Sequence, residues 1–271
     1  MINFYQRVQR PCIAGIVIIL LQACTVSPDK TDGPPAEDID ISTIREPVPK
    51  VEPPSRYGNP ESYIVNGIKY YVRSDAKSFI QRGIASWYGR KFHGRRTSSG
   101  EIFDMYKVTA AHTTLPLPTY VQVKNLINSK TIIVKINDRG PFHENRIIDL
   151  SYAAAAKLDL VRDGTGLVEI RTLDATGIAD DKSSSLKKNT GILPKLYIQV
   201  GSFSDYLNAA RLKDRLKMLK QDTVHINETT VSNKKLFRVW IGPVSDINAA
   251  DTIVASLKKH GINEHRIVVD L

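Results

Sequence analysis

The sequence contains very little cysteine: two residues in 271, Cys12 and Cys24. Both lie at the N-terminus, so the rest of the chain has no thiol for a disulfide, a zinc ligand or a cysteine nucleophile. The sequence also lacks a P-loop, a dinucleotide-binding fingerprint and a nucleophile elbow. Among the histidines, His93, His112 and His143 form no close pair on one face, so we predict no metal site and no cofactor.

Long hydrophobic runs are also missing. The one apolar run near the N-terminus, Ile13 to Leu21, is too short to span a bilayer but has the length of a signal-peptide core. Arg7 and Arg10 precede it, and Leu-Gln-Ala-Cys24 ends it, which resembles a bacterial lipobox. We therefore expect a signal peptide at 1–23 and a lipid on Cys24, although an ordinary secretion signal or a buried strand would share part of this pattern. Thr25 follows the cysteine where an Asp would resemble an inner-membrane retention signal, so we expect an outer-membrane lipoprotein that faces the periplasm.

Acidic residues are outnumbered. Lys and Arg total 38 against 28 Asp and Glu, which gives a formal charge of +10 and a pI near 9.5. Such a balance favours polyanionic surroundings, and charge alone does not choose between nucleic acid, anionic lipid and an acidic polymer.

Composition divides the remaining chain into segments. Residues 24–60 are rich in Pro, Asp and Glu without an apolar period, which predicts a semi-extended tether. Asn66-Gly67 lies between two apolar runs within 61–82 and predicts a β-hairpin extension. A polar linker is expected at 174–194.

Residues 83–173 alternate short apolar runs with turns. Five runs have the composition of strands: Gly83 to Tyr88, Val108 to Ala110, Tyr120 to Asn125, Thr131 to Ile136 and Leu167 to Thr172. A single helix is predicted from Ser151 to Leu158, with Ser151 as its N-cap. Many short strands with one helix indicate a small β-barrel.

Residues 195–271 contain an internal repeat. The run Leu196 to Asp205 is echoed by Leu236 to Asp246, and each copy leads to an Asn-Ala-Ala triplet that opens an amphipathic helix. With a further strand after each helix, the order βαββαβ predicts a ferredoxin-like antiparallel sheet with both helices on one face.

Strand alternation predicts what lies on each face of that sheet. Ile198 and Val200 should face the helices, together with Phe237, Val239 and Ile241. The other face carries Tyr197, Gln199, Arg238 and Trp240. Exposed aromatic rings beside Gln and Arg indicate a binding surface, although Trp240 could instead pack against a neighbouring loop.

Three polar residues of 83–173 are candidates for catalysis. Asp138 ends an apolar strand before Gly140-Pro141, Glu101 follows the turn Thr97 to Gly100, and His112 follows a short strand. Two carboxylates with separated pKa values can act as acid and base on a glycosidic bond, and a histidine can orient one of them or share its proton. Taken singly, each also fits a structural role.

Together, these motifs resemble the rare lipoprotein A family. The likeness runs from Gly83 to about Leu160 and rests on these segments: Gly83 to Gly89, His93-Gly94, Thr97 to Glu101, Ala110 to His112, Leu115-Pro116, Asn137 to Phe142 and Arg146 to Ser151. The C-terminal repeat resembles the SPOR domain that commonly follows in that family. One departure is Val244 after Gly-Pro, where the family usually has Phe; Val keeps that position apolar.

The resemblance implies a mainly β fold, a double-psi β-barrel, followed by an α+β SPOR domain. It implies a lytic transglycosylase that cleaves the MurNAc–GlcNAc bond of peptidoglycan without water and leaves a 1,6-anhydro end. Carried over by position, Glu101 and Asp138 are the acidic residues and His112 is their neighbour, with Asp138 favoured as the acid/base. The SPOR domain implies binding of peptide-free glycan strands at the division septum, where septal proteins are further candidate partners.

Two other interpretations stay open. A non-catalytic glycan-binding lipoprotein would use the same residues to grip or loosen the wall, and anhydro-sugar products distinguish it from an enzyme. A charged βαββαβ sheet with aromatic residues is also similar to an RNA-recognition domain. The RNP patterns are absent and export removes the RNA, so no nucleic-acid partner is expected.

Overall fold

The computed structural model describes residues 32–36, 39–174, 176–178, 193–221, 223–231 and 233–270. The predicted signal peptide, Cys24 and most of the predicted linker lie outside these residues. No helix in the described ranges has both the length and the apolar character needed to cross a bilayer.

The chain forms a hairpin, a barrel and a helix-covered sheet in sequence order. The first part comprises a 3-10 helix (Ile41–Thr43), β1 (Ser62–Val65), β2 (Ile68–Tyr71), β3 (Ile80–Tyr88), β4 (Thr109–Ala111), β5 (Thr119–Asn125), β6 (Thr131–Asp138), β7 (Arg146–Ser151), α1 (Tyr152–Lys157) and β8 (Thr165–Thr172). The second part comprises β9 (Lys195–Phe203), α2 (Tyr206–Met218), β10 (Val224–Val231), β11 (Lys234–Val244), α3 (Ile247–Lys259) and β12 (Arg266–Asp270).

Strands β3 to β8 close into a six-stranded double-psi barrel in the order β3-β7-β4-β6-β5-β8. Two of its pairings, β3 with β7 and β4 with β6, are parallel, and the others are antiparallel. Alternate residues of the strands fill the interior with aliphatic side chains, among them Val121, Val134, Ile136 and Leu150, all fully buried. The predicted barrel is confirmed, with β7 as a strand that sequence patterning did not separate from its surroundings.

Helix α1 closes one side of the barrel. The Ser151 hydroxyl accepts a hydrogen bond from the Ala154 amide at 3.2 Å, which confirms the predicted N-cap. Ala153, Ala154 and Ala155 are fully buried, so the small side chains let the helix approach the strands closely.

The C-terminal part has the predicted ferredoxin-like topology, an antiparallel sheet in the order β10-β11-β9-β12. Asp205 and Asp246 are the N-cap residues that precede α2 and α3. Their side chains accept hydrogen bonds from the amides of Asn208 and Ala249. Helices and sheet share one core, in which four predicted side chains are buried: Ile198, Val200, Val239 and Ile241.

Residues 32–60, which we call the strap, follow the barrel surface. The strap contains little regular structure, as the Pro-rich composition predicts, but its described part packs on the barrel. Ile39 and Ile44 pack against two of the apolar clusters there, and the Glu46 carboxylate accepts a hydrogen bond from the Ile133 amide at 2.8 Å. The described part of the segment predicted as a tether therefore docks on the barrel.

The barrel and the C-terminal sheet contact each other directly. Asp251 on α3 accepts hydrogen bonds from Arg146 at 2.8 Å and Asn145 at 3.1 Å, both at the start of β7. Lys258 on the same helix forms an ion pair with Glu144. These contacts join α3 to the strand that also carries part of the candidate site.

Candidate active site

A row of side chains crosses four neighbouring strands of the barrel. Ser86 on β3 pairs with Asp149 on β7, Asp149 pairs with Ala111 on β4, and Ala111 pairs with Asp138 on β6. Paired residues point to the same face of a sheet, so both carboxylates flank Ala111 on one face. Neighbouring strands are about 4.8 Å apart, which places the two Asp backbones about 10 Å from each other. We call these four residues the acidic row.

Asp138 accepts hydrogen bonds from three donors. Its Oδ1 accepts from the amide and the hydroxyl of Ser98, both at 2.7 Å, and from the Arg139 amide at 2.8 Å. These bonds fix the position of the carboxylate at the end of β6. Gly140, at φ +136°, then turns the chain away from the strand end, a conformation that favours glycine. The predicted carboxylate at the mouth of a strand is present.

The environment of Asp149 favours the protonated form of its carboxyl group. Burial raises the pKa of its carboxyl group, and the Ser86 hydrogen bond at 2.5 Å with the nearby charge of Arg146 only partly offsets this. The other oxygen, Oδ2, lies 3.7 Å from where a Cβ on Gly140 would be. The row therefore pairs a carboxylate with three hydrogen-bond donors, Asp138, with one whose pKa is raised by burial, Asp149.

Sequence analysis did not single out Asp149. In the sequence it is a polar residue within Arg146 to Ser151, and only the cross-strand pairings place it beside Ala111 and Asp138. The available signal was a carboxylate between the apolar residues Ile148 and Leu150, both of which are fully buried.

The Tyr88 phenol interacts electrostatically with both carboxylates. Its side chain is 8% exposed. Burial, and then the negative charges of Asp138 and Asp149, raise the pKa of its phenol well above the ordinary value. The phenol therefore stays protonated beside both acids.

Glu101 lies on the same turn as Ser98 but has other partners. Its carboxylate accepts from the Lys135 ammonium at 2.9 Å and from the Asn137 amide group at 2.7 Å. Burial opposes ionisation, but these hydrogen bonds outweigh it and hold the pKa of Glu101 below its usual range. It borders a cavity of about 470 Å³ between the barrel and residues 43–47 of the strap. Glu101 and the Ser98 that binds Asp138 therefore belong to the same turn, but the two carboxylates accept hydrogen bonds from different donors.

His112 is enclosed, with 1% of its surface exposed. Its Nδ1 accepts from the amides of Thr114 at 3.1 Å and Leu115 at 3.0 Å, so the ring proton is on Nε2, which faces Gln81 Oε1 at 3.2 Å. Burial, followed by the charges of Arg139 and Arg73, lowers the pKa of His112 to about 3. The ring is therefore neutral at physiological pH, and its nitrogens bind the 114–115 loop and Gln81, not a carboxylate.

Arg139 is a second residue whose role sequence analysis missed. Its guanidinium donates to the carbonyls of Gly58 at 2.8 Å, His112 at 3.1 Å and Leu115 at 2.5 Å, and to Asn59 Oδ1 at 3.1 Å. The residue after Asp138 thereby clamps the strap and the His112 loop onto the end of β6.

Metal ligation has no support in the described ranges, where no three or more His, Cys, Asp or Glu residues cluster suitably for an ion. His93 Nδ1 accepts from the Met105 amide at 3.2 Å, and His143 Nδ1 donates to the Glu144 carbonyl at 3.0 Å. The three histidines considered above thus have separate partners.

The open face of the C-terminal sheet carries the four predicted side chains, which we call the platform: Tyr197, Gln199, Arg238 and Trp240. All are partly exposed. The Trp240 indole donates to Gln199 Oε1 at 3.2 Å and its ring lies 5.2 Å from the Tyr197 ring, tilted by 39°. Trp240 therefore packs on its platform neighbours and presents a broad aromatic surface.

Comparisons with protein families match two segments. Residues 80–170 match the family described as lytic transglycolase, and residues 194–267 match the SPOR domain. These segments correspond to the barrel and to the helix-covered sheet.

Comparisons with individual proteins cover most of the chain. It is 37% identical to the endolytic peptidoglycan transglycosylase RlpA of Vibrio cholerae, over 91% of this chain and 92% of that protein. It is 31% identical to the RlpA of Pseudomonas aeruginosa, over 95% of each. Among solved structures, the SPOR domain of RlpA from Pseudomonas aeruginosa is 26% identical and covers 27% of this chain and 96% of its own, with a TM-score of 0.26. Relatives above 30% identity that align over nine tenths of both chains show that the chain belongs to the RlpA family.

Proposed function

We propose that this chain is an endolytic peptidoglycan transglycosylase, as its RlpA relatives are named. The observation that carries the proposal is the acidic row, which lies in the segment that matches the lytic transglycolase family. Asp138 and Asp149 flank the small side chain of Ala111, which places a carboxyl group of raised pKa beside a carboxylate that accepts three hydrogen bonds.

In this proposal Asp149 is the general acid. Its proton passes to the glycosidic oxygen, which leaves with GlcNAc as the bond to C1 of MurNAc breaks. The anchored carboxylate of Asp138 stabilises the positive charge that develops at C1. The 6-hydroxyl of the same MurNAc then attacks C1 and returns its proton to Asp149. No water is consumed, and the product carries a 1,6-anhydro end.

The environments of the two carboxylates support these roles. The strand-end position alone favours Asp138 as the acid/base, but burial raises the pKa of Asp149, whereas Asp138 is fixed by three hydrogen-bond donors on one oxygen. Glu101 borders the cavity beside the strap and is proposed to contact the sugar. His112 is proposed as a positioning residue, because its neutral ring orders the loop that Arg139 also clamps.

The test is digestion of purified sacculi, intact and amidase-treated, with mass spectrometry of the products. Asp149→Asn should lower the yield of anhydro ends about 100-fold or more, and Asp138→Asn should also lower it strongly. Asp163→Asn, at an exposed turn where Asp163 pairs only with Arg162, is the matched control and should keep full activity. If the unsubstituted protein yields no anhydro product but binds glycan, the non-catalytic interpretation replaces this one.

We further propose that the platform binds peptide-free glycan and places the enzyme at the division septum. An indole and a phenol in contact, with Gln199 and Arg238 beside them, suit stacking on sugar rings and hydrogen bonding to hydroxyls. Fluorescent fusions of the parent and of a Trp240→Ala variant test this, since the septal signal should fade in the variant.

Lipidation of Cys24 and an outer-membrane location are proposed from the sequence before it. Labelling with radioactive palmitate should mark the parent and fail for Cys24→Ser, and the variant should leave the membrane fraction. A labelled Cys24→Ser protein would contradict the proposal.

A further inference from the structure

The strap places a carboxylate on two backbone amides of the turn that follows β3. Asp32 accepts from the Gly89 amide, at 3.0 Å to Oδ1 and 3.2 Å to Oδ2, and from the Lys91 amide at 3.1 Å. Between them, the Arg90 amide donates to the Gly33 carbonyl at 3.0 Å. We call the three N–H groups of Gly89, Arg90 and Lys91 the amide nest. Such a run of N–H groups in a turn binds anions.

Gly89, which has no side chain, lets another backbone segment lie close to the nest. A Cβ on Gly89 would lie 2.2 Å from the Gly33 carbonyl oxygen and 3.1 Å from the Trp87 ring. A larger residue at position 89 would therefore clash with the strap backbone, and glycine lets Gly33 lie against the nest. Two cationic residues, Arg90 and Lys91, are part of the nest, which adds to its attraction for a negative group.

The nest adjoins the acidic row. It begins at the residue after β3, the strand whose Ser86 hydrogen-bonds Asp149. The negative charge of Asp32 contributes to the raised pKa of Asp149, after the larger effect of burial. A carboxylate in the nest is thus close enough to Asp149 to contribute to the raised pKa of the proposed acid.

We propose that the amide nest binds the lactyl carboxylate of a peptide-free MurNAc residue, and that Asp32 occupies the nest until the glycan displaces it. This inference rests on the proposed function and names a feature of its substrate. The lactyl group is a free carboxylate only where the stem peptide has been removed; in a peptide-bearing strand the same carbon is an amide. An anion nest therefore selects the peptide-free strand, and charged hydrogen bonds of this kind give roughly 10- to 100-fold discrimination.

The binding test uses the full chain, purified in detergent and labelled with ¹⁵N, with the amides of Gly89 and Lys91 assigned. The probes are N-acetylmuramic acid and its lactyl methylamide. In Asp32→Ala, N-acetylmuramic acid should shift both amides saturably, whereas the methylamide should not. In the parent the same shift should need at least about threefold more ligand, because the tethered Asp32 competes.

Asp40→Ala is the matched control. Asp40 belongs to the same strap, but its carboxylate caps Ser42 within the strap. This variant should behave as the parent does. The inference is overturned if N-acetylmuramic acid leaves the two amides unmoved in Asp32→Ala, or if the methylamide shifts them equally. A free stem peptide that shifts them more strongly would also overturn it.

A second experiment separates this inference from the proposed function. Initial rates are measured on peptide-free glycan with free lactyl carboxylates and on the same glycan converted to methylamides. The parent should prefer the free carboxylates at least about tenfold, and Asp32→Ala should raise the rate on them about threefold or more at limiting substrate. Equal rates on both glycans overturn the nest while the transglycosylase stands. If neither glycan is cleaved, the proposed function fails and the amide shifts still decide the nest.

Discussion

Acidification should destabilise the barrel through His112. The pKa of this ring is lowered to about 3 in the folded protein, against an ordinary value of about 6.5. Between those values the unfolded chain binds a proton that the native chain does not bind, so the free energy of unfolding falls as the pH falls. The stabilisation from the neutral ring is complete above pH 6.5 and is lost progressively toward pH 3.

The magnitude follows from the proton linkage. At pH 5 the unfolded histidine is about 1.5 pH units below its pKa, which corresponds to about 2 kcal/mol. Because His112 is only 1% exposed, solvent does not screen this effect. Such a loss is a large fraction of the roughly 5–15 kcal/mol that stabilises a typical domain.

The assay is urea unfolding at pH 7.5 and pH 5. The chain contains two tryptophans, so a Trp240→Phe background leaves Trp87 in the barrel as the sole indole reporter. In this background, the stability lost between the two pH values should be about 2 kcal/mol smaller for His112→Gln than for the parent. Equal losses in the two proteins, or a His112 ring that titrates near pH 6.5 in the native state, would refute the reasoning.

Three further predictions concern single substitutions. Arg139→Lys keeps the charge but cannot serve four acceptors, so it should cost about 2–4 kcal/mol in urea unfolding. Gly140→Ala must adopt φ +136°, which should cost about 1–3 kcal/mol and lower the melting temperature; an unchanged melting curve would contradict it. Trp240→Ala removes the platform's broad ring and should weaken binding to peptide-free glycan about tenfold by calorimetry, whereas Tyr206→Ala, outside the platform, should not.

The sequence predicted most strands and helices but not which side chains the fold brings together. Apolar runs and turn residues located five of the six barrel strands, and the internal repeat predicted the C-terminal topology. Strand β7 was missed because Arg146 and Asp149 interrupt its short apolar run. Asp149 acquires its proposed role from pairing with Ser86 and Ala111, a relation between distant segments that local patterning does not contain.

Two other features depended on tertiary contacts. The strap has no apolar period, so its composition predicts a tether, yet Ile39 and Ile44 pack on the barrel and polar contacts such as that of Glu46 add to them. His112 has the residue type of a proton carrier, but the amides of Thr114 and Leu115 determine its tautomer, and burial keeps the ring neutral. Backbone partners of this kind depend on the folded conformation of the loop, so the spacing of residues in the sequence does not predict them.

The contacts of Asp251 with Arg146 and of Lys258 with Glu144 have a geometric consequence. They hold α3 against the start of β7, so the platform lies at one distance from the acidic row. Under the proposed function, a glycan strand would meet the two surfaces at that separation. A strand that lay on both would be cut a set number of disaccharides from the segment held by the platform. The lengths of the released fragments would then cluster around one value, and would spread once the two parts were uncoupled.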